Sequence, residues 1–221
     1  MSLIETLVEV GAHMLWPVSC PVCGAVGKLL CEPCLRSLFG RPPLPRCLLC
    51  GEVIPCKVHG DNLSRIRAGS VYEGDMRELI LMLKGKYESL APRLGRGLAG
   101  IFPRPGLDVL VPVPLHLKSK RRYNQAEAIA KGLGDVWGVE VRNVARWTAD
   151  VATRAGMNAA ERLSLSQDVF DFGEDVAGLR LGLVDDVCTT GSTLSRLAGA
   201  ARARGAEVVD AFVLASAAGR R

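Results

Sequence analysis

An apolar run at residues 181–184 leads directly into two adjacent carboxylates, Asp185 and Asp186, and then into a loop of small hydroxyl residues. The loop reads Thr189-Thr190-Gly191-Ser192-Thr193, and a helical pattern extends over residues 192–204. A short apolar run bounded by turn residues predicts a buried strand. The segment therefore predicts a strand, a tight loop and a helix in succession, which is a building unit of α/β folds.

The same segment has the chemistry of a ribose 5-phosphate site. Backbone N–H groups and hydroxyls of residues 189–193 can surround a phosphate, because the first N–H groups of a helix lack partners and its dipole favours an anion there. Asp185 and Asp186 can accept hydrogen bonds from vicinal ribose hydroxyls. The plainer alternative is a strand–turn–helix with an ordinary helix cap, which does not require an adjacent acidic pair.

This block resembles the phosphoribosyl-pyrophosphate (PRPP) motif of type I phosphoribosyltransferases, in which apolar residues precede an acidic pair and Thr-Thr-Gly-Ser/Ala-Thr. The resemblance implies that PRPP binds here together with Mg²⁺. It assigns PRPP binding to a continuous segment, namely Asp185, Asp186, Val187, Cys188, Thr189, Thr190, Gly191, Ser192 and Thr193. No base lies near Cys188 in the sequence, so we interpret this cysteine as a space-filling residue rather than a nucleophile.

The rest of the chain alternates predicted strands with predicted helices. From residue 63 onward we expect strands at 69–72, 109–113, 139–144, 181–184 and 208–214, and helices at 75–83, 124–137 and 192–204. This alternation predicts a type I phosphoribosyltransferase-like α/β fold, a mainly parallel sheet flanked by helices, with ligands beyond the carboxyl ends of the strands. Residues 148–178 are polar and contain glycine, so we expect them to form an extended, mobile lid.

Seven of the eight cysteines lie between Cys20 and Cys56. Six of them form three Cys-x-x-Cys pairs, which favour zinc over disulfides in a chain without an export signal. The expected structural sites are Cys20, Cys23, Cys31 and Cys34, and then Cys47, Cys50, Cys56 and His59. Three alternatives remain: a single zinc ion, a crossed arrangement that pairs Cys20 and Cys23 with Cys47 and Cys50, and a surface role for His59. Bound thiolates would lower the formal charge of +5 to about +2, so basicity supports DNA binding only weakly.

Three regions are expected along the chain: a docking helix at residues 1–16, a zinc-ribbon-like module at 17–62, and the phosphoribosyltransferase-like domain at 63–221. The 48% hydrophobic and 23% charged content is typical of a globular protein. The N-terminus carries Glu5 and Glu9 and no basic region, and no apolar run reaches membrane-spanning length. We therefore expect a cytoplasmic protein without membrane insertion. The sequence does not indicate an oligomeric state.

A second candidate segment follows the strand predicted at 109–113. Val113 and Pro114 end that strand, and a basic cluster of Lys118, Lys120, Arg121 and Arg122 comes shortly afterwards. Because Lys and Arg neutralise phosphates, this segment is a candidate pyrophosphate site. The alternative is a solvated basic loop. Arg154 and Arg162, in the expected lid, are further candidates for contact with pyrophosphate.

The order of the motifs narrows the resemblance to the ComF family, which is associated with competence and DNA uptake. The shared features are the cysteines 20–56, Leu83-Lys84, the segment from Pro112 to His116, the segment from Arg121 to Ala126, and the loop from Asp185 to Gly191. The family usually has Gly where Arg122 stands, and tends to carry Gln and Asn near Arg154 and Leu165. The likeness spans nearly the whole chain.

The resemblance implies a PRPP-binding protein that can transfer phosphoribosyl, as a glycosyltransferase does, to a nitrogen acceptor with release of pyrophosphate. Catalysis would rest on positioning and charge neutralisation, so no residue is assigned as a covalent catalyst. One alternative is a non-catalytic factor that binds single-stranded DNA during uptake, with competence proteins as partners. Another is a regulator that senses PRPP or a similar nucleotide-like molecule.

Overall fold

A computed structural model describes residues 18–59, 64–85, 87–148 and 169–217 of the chain. The helices are α1 (Glu32–Leu38), α2 (Gly74–Leu83), α3 (Leu90–Ile101), α4 (Gln125–Trp137) and α5 (Ser192–Ala203). The strands are β1 (Arg46–Cys47), β2 (Arg65–Val71), β3 (Val109–Pro112), β4 (Glu140–Val141), β5 (Ala145–Trp147), β6 (Phe170–Phe172), β7 (Arg180–Cys188) and β8 (Glu207–Ser216). The docking helix predicted at 1–16, the boundary predicted at 62–63, and Arg154 and Arg162 lie outside the described residues.

Six strands form one sheet in the order β1-β2-β8-β7-β3-β4. Strands β2, β8, β7, β3 and β4 are parallel to their neighbours, and β1 is antiparallel to β2 at one edge. Strands β5 and β6 form a separate antiparallel pair. The mainly parallel α/β architecture predicted from the sequence is confirmed.

The sheet is covered on both faces, which explains why its central strands are almost entirely apolar. On one face α2, α3 and α4 pack against residues such as Val184 and Phe212. On the other face α5 and the β5–β6 pair pack against residues such as Leu183 and Val213. The carboxyl ends of β7, β8 and β3 therefore open at one edge between these two layers.

Helix α4 begins at this edge, and its position is fixed at both ends. The Asn124 side chain accepts a hydrogen bond from the Ala126 amide at 3.0 Å and so caps the first turn. Gly138 ends the helix in a left-handed conformation with φ +64°. In its middle, a Cβ at Gly132 would lie 2.0 Å from the Pro92 carbonyl oxygen, so only glycine permits this close approach to α3.

Several elements differ from the sequence prediction. Strand β7 does not end at residue 184 but continues to Cys188, because β8 pairs with it as far as Ser216. The strand predicted at 139–144 is reduced to Glu140–Val141, where it pairs with β3 through two residues at the sheet edge. Helix α3 was not predicted, although Leu90, Leu94 and Leu98 recur at helical spacing and are buried.

The prediction of an extended lid at residues 148–178 was wrong for the part that the structure describes, because apolar residues of this part lie in the core. Val169, Phe170, Phe172 and Val176 are buried in the core cluster on the α5 face. Strand β6 pairs with β5, which brings these apolar residues beneath α5. The remaining residues of the expected lid, 149–168, lie outside the described ranges. Within those ranges, no helix combines the length and apolar character needed to cross a bilayer.

Candidate functional site

The candidate phosphate loop, residues 189–193, connects the end of β7 to the start of α5. Gly191 takes φ +81° at the N-terminal boundary of α5, a conformation that favours glycine. The Ser192 amide donates to Thr190 Oγ1 at 3.3 Å, and the two hydroxyls lie 3.1 Å apart. Thr189, Thr190 and Ser192 are exposed, so their hydroxyls remain accessible to a ligand.

The acidic pair lies within the last four residues of β7, just before this loop. Asp185 Oδ1 accepts a hydrogen bond from the Asp186 amide at 2.9 Å. Asp186 Oδ2 forms an ion pair with Lys84 Nζ at 3.3 Å, and Lys84 directly follows α2. The pair is thus held at the carboxyl end of the sheet by its own backbone and by a lysine from another element.

The two carboxyl groups differ in their electrostatic environment. Burial, and next the neighbouring charge of Asp186, raise the pKa of Asp185 to about 8. Lys84 offsets part of this shift, because it favours the ionised form. A group that donates hydrogen bonds, such as a ribose diol, would favour the charged carboxylate and would therefore displace a proton from Asp185 near neutral pH.

The candidate pyrophosphate segment lies at the same edge. Beyond β3 the Val113 amide donates to the Val184 carbonyl at 2.8 Å, which places Val113 and Pro114 beside β7. Asn124 Nδ2 donates to the Val113 carbonyl at 3.0 Å and ties the strand end to the start of α4. The basic residues between these points are exposed, namely Lys118, Lys120, Arg121 and Arg122.

An open cavity of about 900 Å³ joins the basic segment to the end of α2. It is lined by Lys84, Gly85, Glu88, Ser119, Lys120, Arg121, Arg122, Tyr123 and Gln125. Lys84 therefore borders both the cavity and the acidic pair. Lys118 is not among the lining residues, so of the four predicted basic residues three line this space.

Two side chains connect the basic segment to the last turn of α2. Tyr123 donates its hydroxyl hydrogen to the Leu83 carbonyl, and Gln125 Nε2 donates to the same oxygen at 3.4 Å. Burial, and next the charge of Glu88, raise the pKa of Tyr123 to about 12, which keeps the hydroxyl protonated as a donor. Arg121 Nη1 donates to Gln125 Oε1 at 3.1 Å and extends the connection to the cavity.

The first cysteine group brings Cys20, Cys23, Cys31 and Cys34 together, with all ligand atoms within 4.8 Å of one another. The Sγ atoms of Cys23 and Cys31 lie 3.6 Å apart, far beyond the disulfide length of about 2.0 Å. Tetrahedral coordination with metal–sulfur distances of about 2.3 Å places sulfurs about 3.8 Å apart, so the group fits a structural metal ion.

The second group consists of Cys47, Cys50, Cys56 and His59, again with ligand atoms within 4.8 Å. Cys50 and Cys56 Sγ lie 3.5 Å apart, and His59 Nδ1 lies 3.8 Å from Cys47 Sγ and 3.7 Å from Cys56 Sγ. The crossed arrangement and the disulfide alternative are therefore excluded for these residues. Two groups that could each hold a structural metal ion are present, and His59 is one of the ligands brought together.

One site residue was missed by reasoning from sequence. Lys84 was noted only as part of a Leu-Lys turn, and its contact with Asp186 depends on the fold. Cys188 is buried at the end of β7, and burial raises the pKa of its thiol, which agrees with a space-filling role. Asp185, Asp186, the loop, the basic segment and Lys84 meet at one edge of the sheet. Arg154 and Arg162 lie outside the described residues.

No protein-family model matches this sequence. DNA utilization protein YhgH of Salmonella typhi is 29% identical over 202 residues, which cover 88% of this chain and 82% of that protein. Competence protein F of Haemophilus influenzae is 31% identical over 116 residues, which cover 50% of this chain and 51% of that protein.

Among solved structures, the chain is similar to glutamine PRPP amidotransferase from B. subtilis in complex with ADP and GMP. The TM-score is 0.46 at 23% identity, and the match covers 57% of this chain and 26% of that enzyme. The chain thus spans about a quarter of the amidotransferase. Through its sequence, this chain is a homologue of the proteins named DNA utilization protein YhgH and Competence protein F, which confirms the ComF resemblance carried by its motifs.

Proposed function

We propose that this protein binds PRPP with Mg²⁺ at the carboxyl edge of its sheet. The observation that carries the proposal is the acidic pair at the end of β7, which is followed at once by a hydroxyl-rich loop that opens α5. Ligands of α/β proteins bind at this edge of a parallel sheet. Lys84 and the basic segment border the same space and supply the positive charge that a pyrophosphate requires.

Each part of PRPP has a candidate partner in this arrangement. Residues 189–193 would bind the 5-phosphate through backbone N–H groups and hydroxyls. Asp185 and Asp186 would accept hydrogen bonds from the ribose hydroxyls. The segment from Val113 to Arg122, together with Lys84, would contact pyrophosphate. Mg²⁺ takes most of its ligands from phosphates and water, and the acidic pair offers it carboxylate oxygens.

Phosphoribosyl transfer to a nitrogen acceptor is the reaction that such a bound state supports. The bond between the ribose C1 and the acceptor nitrogen forms, the bond from C1 to pyrophosphate breaks, and pyrophosphate leaves with the electron pair. The acceptor releases its proton to solvent. The protein would contribute orientation and charge neutralisation, which stabilise the positive charge on ribose and the negative charge on pyrophosphate.

Calorimetric titration of PRPP with Mg²⁺ tests the binding proposal. We expect saturable binding to the wild-type protein and no binding to the double variant Asp185→Ala with Asp186→Ala. The matched control is Asp135→Ala with Glu140→Ala, which removes two carboxylates from exposed ion pairs elsewhere. Absence of binding to the wild type, or equal binding by both double variants, would refute the proposal.

Turnover is tested separately, by measuring PRPP-dependent release of pyrophosphate with each common nucleobase as acceptor. Release with one base would identify the acceptor class. Binding of PRPP without release for any base would instead favour a sensor that uses the same site.

The second candidate function is binding of single-stranded DNA, as a non-catalytic factor or together with competence proteins. The names of the two relatives refer to DNA utilization and competence. The exposed residues Lys120, Arg121 and Arg122 provide charge for phosphates, and Tyr123 lies beside them. We expect DNA retention that falls with salt and with charge reversal at these three residues. If DNA retention does not change with salt concentration, electrostatic binding through these residues is ruled out.

Zinc is the metal that we propose for both cysteine groups, because sets with four thiolates or with three thiolates and an imidazole are typical of structural zinc sites. We also propose that residues 17–62 act as the metal module of a phosphoribosyltransferase-like domain at 63–221. Elemental analysis of the purified protein should give two zinc ions per chain. The expected cytoplasmic location stays a prediction from the sequence.

A further inference from the structure

Two glycines occupy equivalent positions in the two metal groups. Gly24 follows Cys23 with φ +73°, and Gly51 follows Cys50 with φ +77°. Both turns therefore need a residue that tolerates the left-handed region. Their surroundings differ: nothing lies within 4 Å of a Cβ built at Gly24, whereas a Cβ at Gly51 would lie 2.3 Å from the Thr190 carbonyl oxygen.

The contact of Gly51 with the phosphate loop is reinforced by its neighbours. Arg46 Nη1 donates to the Thr189 carbonyl at 3.4 Å. Ser195 Oγ, in the first turns of α5, donates to the Leu49 carbonyl at 3.0 Å. A Cβ at Gly191 would lie 3.6 Å from the Gly51 Cα, so the two glycine turns face each other directly. Three consecutive loop residues, 189–191, thus contact the segment that carries the second metal group.

A displacement of this segment would change the loop itself. The peptide group is planar, so a shift of the Thr190 carbonyl rotates the following N–H group with it. Phosphate binding by a loop depends on the orientation of such N–H groups. Cys47 and Cys50 hold the backbone turn at Gly51. The Gly51 amide also donates a hydrogen bond to the Cys47 carbonyl at 2.8 Å.

We propose that Gly51 is a positioning residue for the phosphate loop, so that metal binding at the second cysteine group and binding of ribose 5-phosphate at residues 189–193 strengthen each other. The proposal rests on the proposed PRPP function. Binding at either site orders the contact that both share, and such coupling is reciprocal. The first cysteine group has no equivalent contact at Gly24 and takes no part in the coupling.

The variants Gly51→Ala and Gly24→Ala test the proposal as a matched pair. Both place alanine at a positive φ beside a metal ligand, so both carry the same local strain. We expect Gly51→Ala to weaken PRPP binding by about tenfold or more, and Gly24→Ala to leave it within about twofold of wild type. Equal PRPP affinities of the two variants, at equal metal content, would overturn the proposal.

A second comparison separates positioning of the loop from general damage to the protein. Pyrophosphate with Mg²⁺ does not use the 5-phosphate loop, so Gly51→Ala should bind it as the wild type does while it binds PRPP and ribose 5-phosphate more weakly. If Gly51→Ala weakens all three ligands equally, the residue has only a structural role. Should Gly51→Ala not fold, Arg46→Ala replaces it, with an expected loss of about twofold to fivefold in PRPP affinity.

Hydrogen exchange of the loop amides tests the contact between Gly51 and the phosphate loop without PRPP. We expect the amides of residues 189–193 to exchange faster in Gly51→Ala than in Gly24→Ala, and equal exchange would contradict the proposal. In the wild type, PRPP should slow the release of one zinc ion to a chelator. A wild type that binds no PRPP would refute the proposed function and the coupling to it, and the exchange data would still show whether Gly51 orders the loop.

Discussion

The two cysteine groups have nearly the same ligand chemistry but contact different parts of the molecule. The first adjoins Leu30, Leu35 and Phe39, which are buried in the core cluster on the face formed by α2, α3 and α4. The second contacts the loop that connects β7 to α5. A metal centre of one kind can thus support the fold in one place and the geometry of a candidate binding site in another.

This difference follows from the secondary structure around each group. Helix α1 directly follows Cys31 and includes Cys34, and it packs its apolar side against α3, where a Cβ at Gly97 would lie 2.6 Å from Leu35 Cδ1. Strand β1 includes Cys47 and pairs with β2 at the edge of the sheet, and the turn after β1 contacts the loop after β7 through Gly51. The neighbouring element, rather than the ligand set, decides what each metal centre can influence.

The largest expected effect is the loss of the first metal centre. Cys20→Ser should remove one zinc ion and lower the free energy of unfolding by about 5 kcal/mol or more, because a small cysteine module depends on its metal for folding. Cys56→Ser should also remove one zinc ion. Compared with Cys20→Ser, it should lower PRPP affinity more and the free energy of unfolding less. Elemental analysis, urea unfolding and PRPP titration of both variants provide the comparison.

The next effect concerns packing around the first centre without loss of metal. Phe39 is 3% exposed and lies against the backbone of β2 and α3 at Gly69 and Gly97. Phe39→Ala should lower the free energy of unfolding by about 3–5 kcal/mol, because it leaves a cavity. The exposed Leu44 serves as the control, since its truncation removes little buried surface. A loss of PRPP affinity in folded Phe39→Ala would contradict the division between the two centres.

On the site side of the comparison, we expect a pH dependence from the acidic pair. Because the pKa of Asp185 is raised to about 8, most of the unliganded protein carries this carboxyl protonated at neutral pH. Ribose hydroxyls favour the carboxylate, so PRPP affinity should rise up to about pH 8, by at most about tenfold per pH unit. Calorimetry across this range should show the rise, and Asp185→Asn should lack it.

The effect of Asp185 on stability has the opposite sign. Its pKa in the folded protein lies above the unfolded value of about 4. The stability that the protonated form contributes is therefore fully present below about pH 4 and is lost as pH rises through about pH 8. Urea unfolding of the wild type and of Asp185→Asn should diverge over this interval. If the free energies of unfolding of the two proteins change with pH in parallel, the pKa of Asp185 is not raised.

The smallest expected effect tests the link between α5 and the second centre. Ser195→Ala removes the hydrogen bond to the Leu49 carbonyl. One such bond contributes about 1 kcal/mol, which corresponds to about fivefold in PRPP affinity if all of it positions the loop. Ser37→Ala removes an exposed hydroxyl from α1 and is the control for the first centre. Identical PRPP titrations of the two variants would show that Gly51 and Arg46 position the loop without this bond.

Local patterns were sufficient to predict most of the sheet and both ligand sets. The apolar runs gave the strands, because they are covered on both faces, and the Cys-x-x-Cys spacing gave the metal groups, since both sulfurs of a pair converge on one ion. The loop after Asp186 was predicted from its own residues. The length of β7 was not, because it depends on pairing with β8 over a large sequence separation.

Contacts between distant segments were not predictable from one sequence. Lys84 lies about 100 residues before Asp186, and no local pattern distinguishes it from the other lysines of the chain. Gly51 and Gly24 each follow a Cys-x-x-Cys pair in the sequence, and only the fold brings Gly51 next to Thr190. The burial of apolar residues at 169–176 was not predicted, because the segment around them has a polar composition.

The parallel pairing of β2 with β8 has a consequence for how the chain folds. Residues of the two strands are far apart in sequence, and the Arg65 amide donates to Asp210 Oδ1 across 145 positions. Non-local pairing of this kind forms slowly, because closing a long loop costs entropy before any stabilising contact forms. The cysteine groups, in contrast, span only short segments and can load their ions early. During synthesis we therefore expect the metal modules to be complete before β8 enters the centre of the sheet, with the β2 edge open until then.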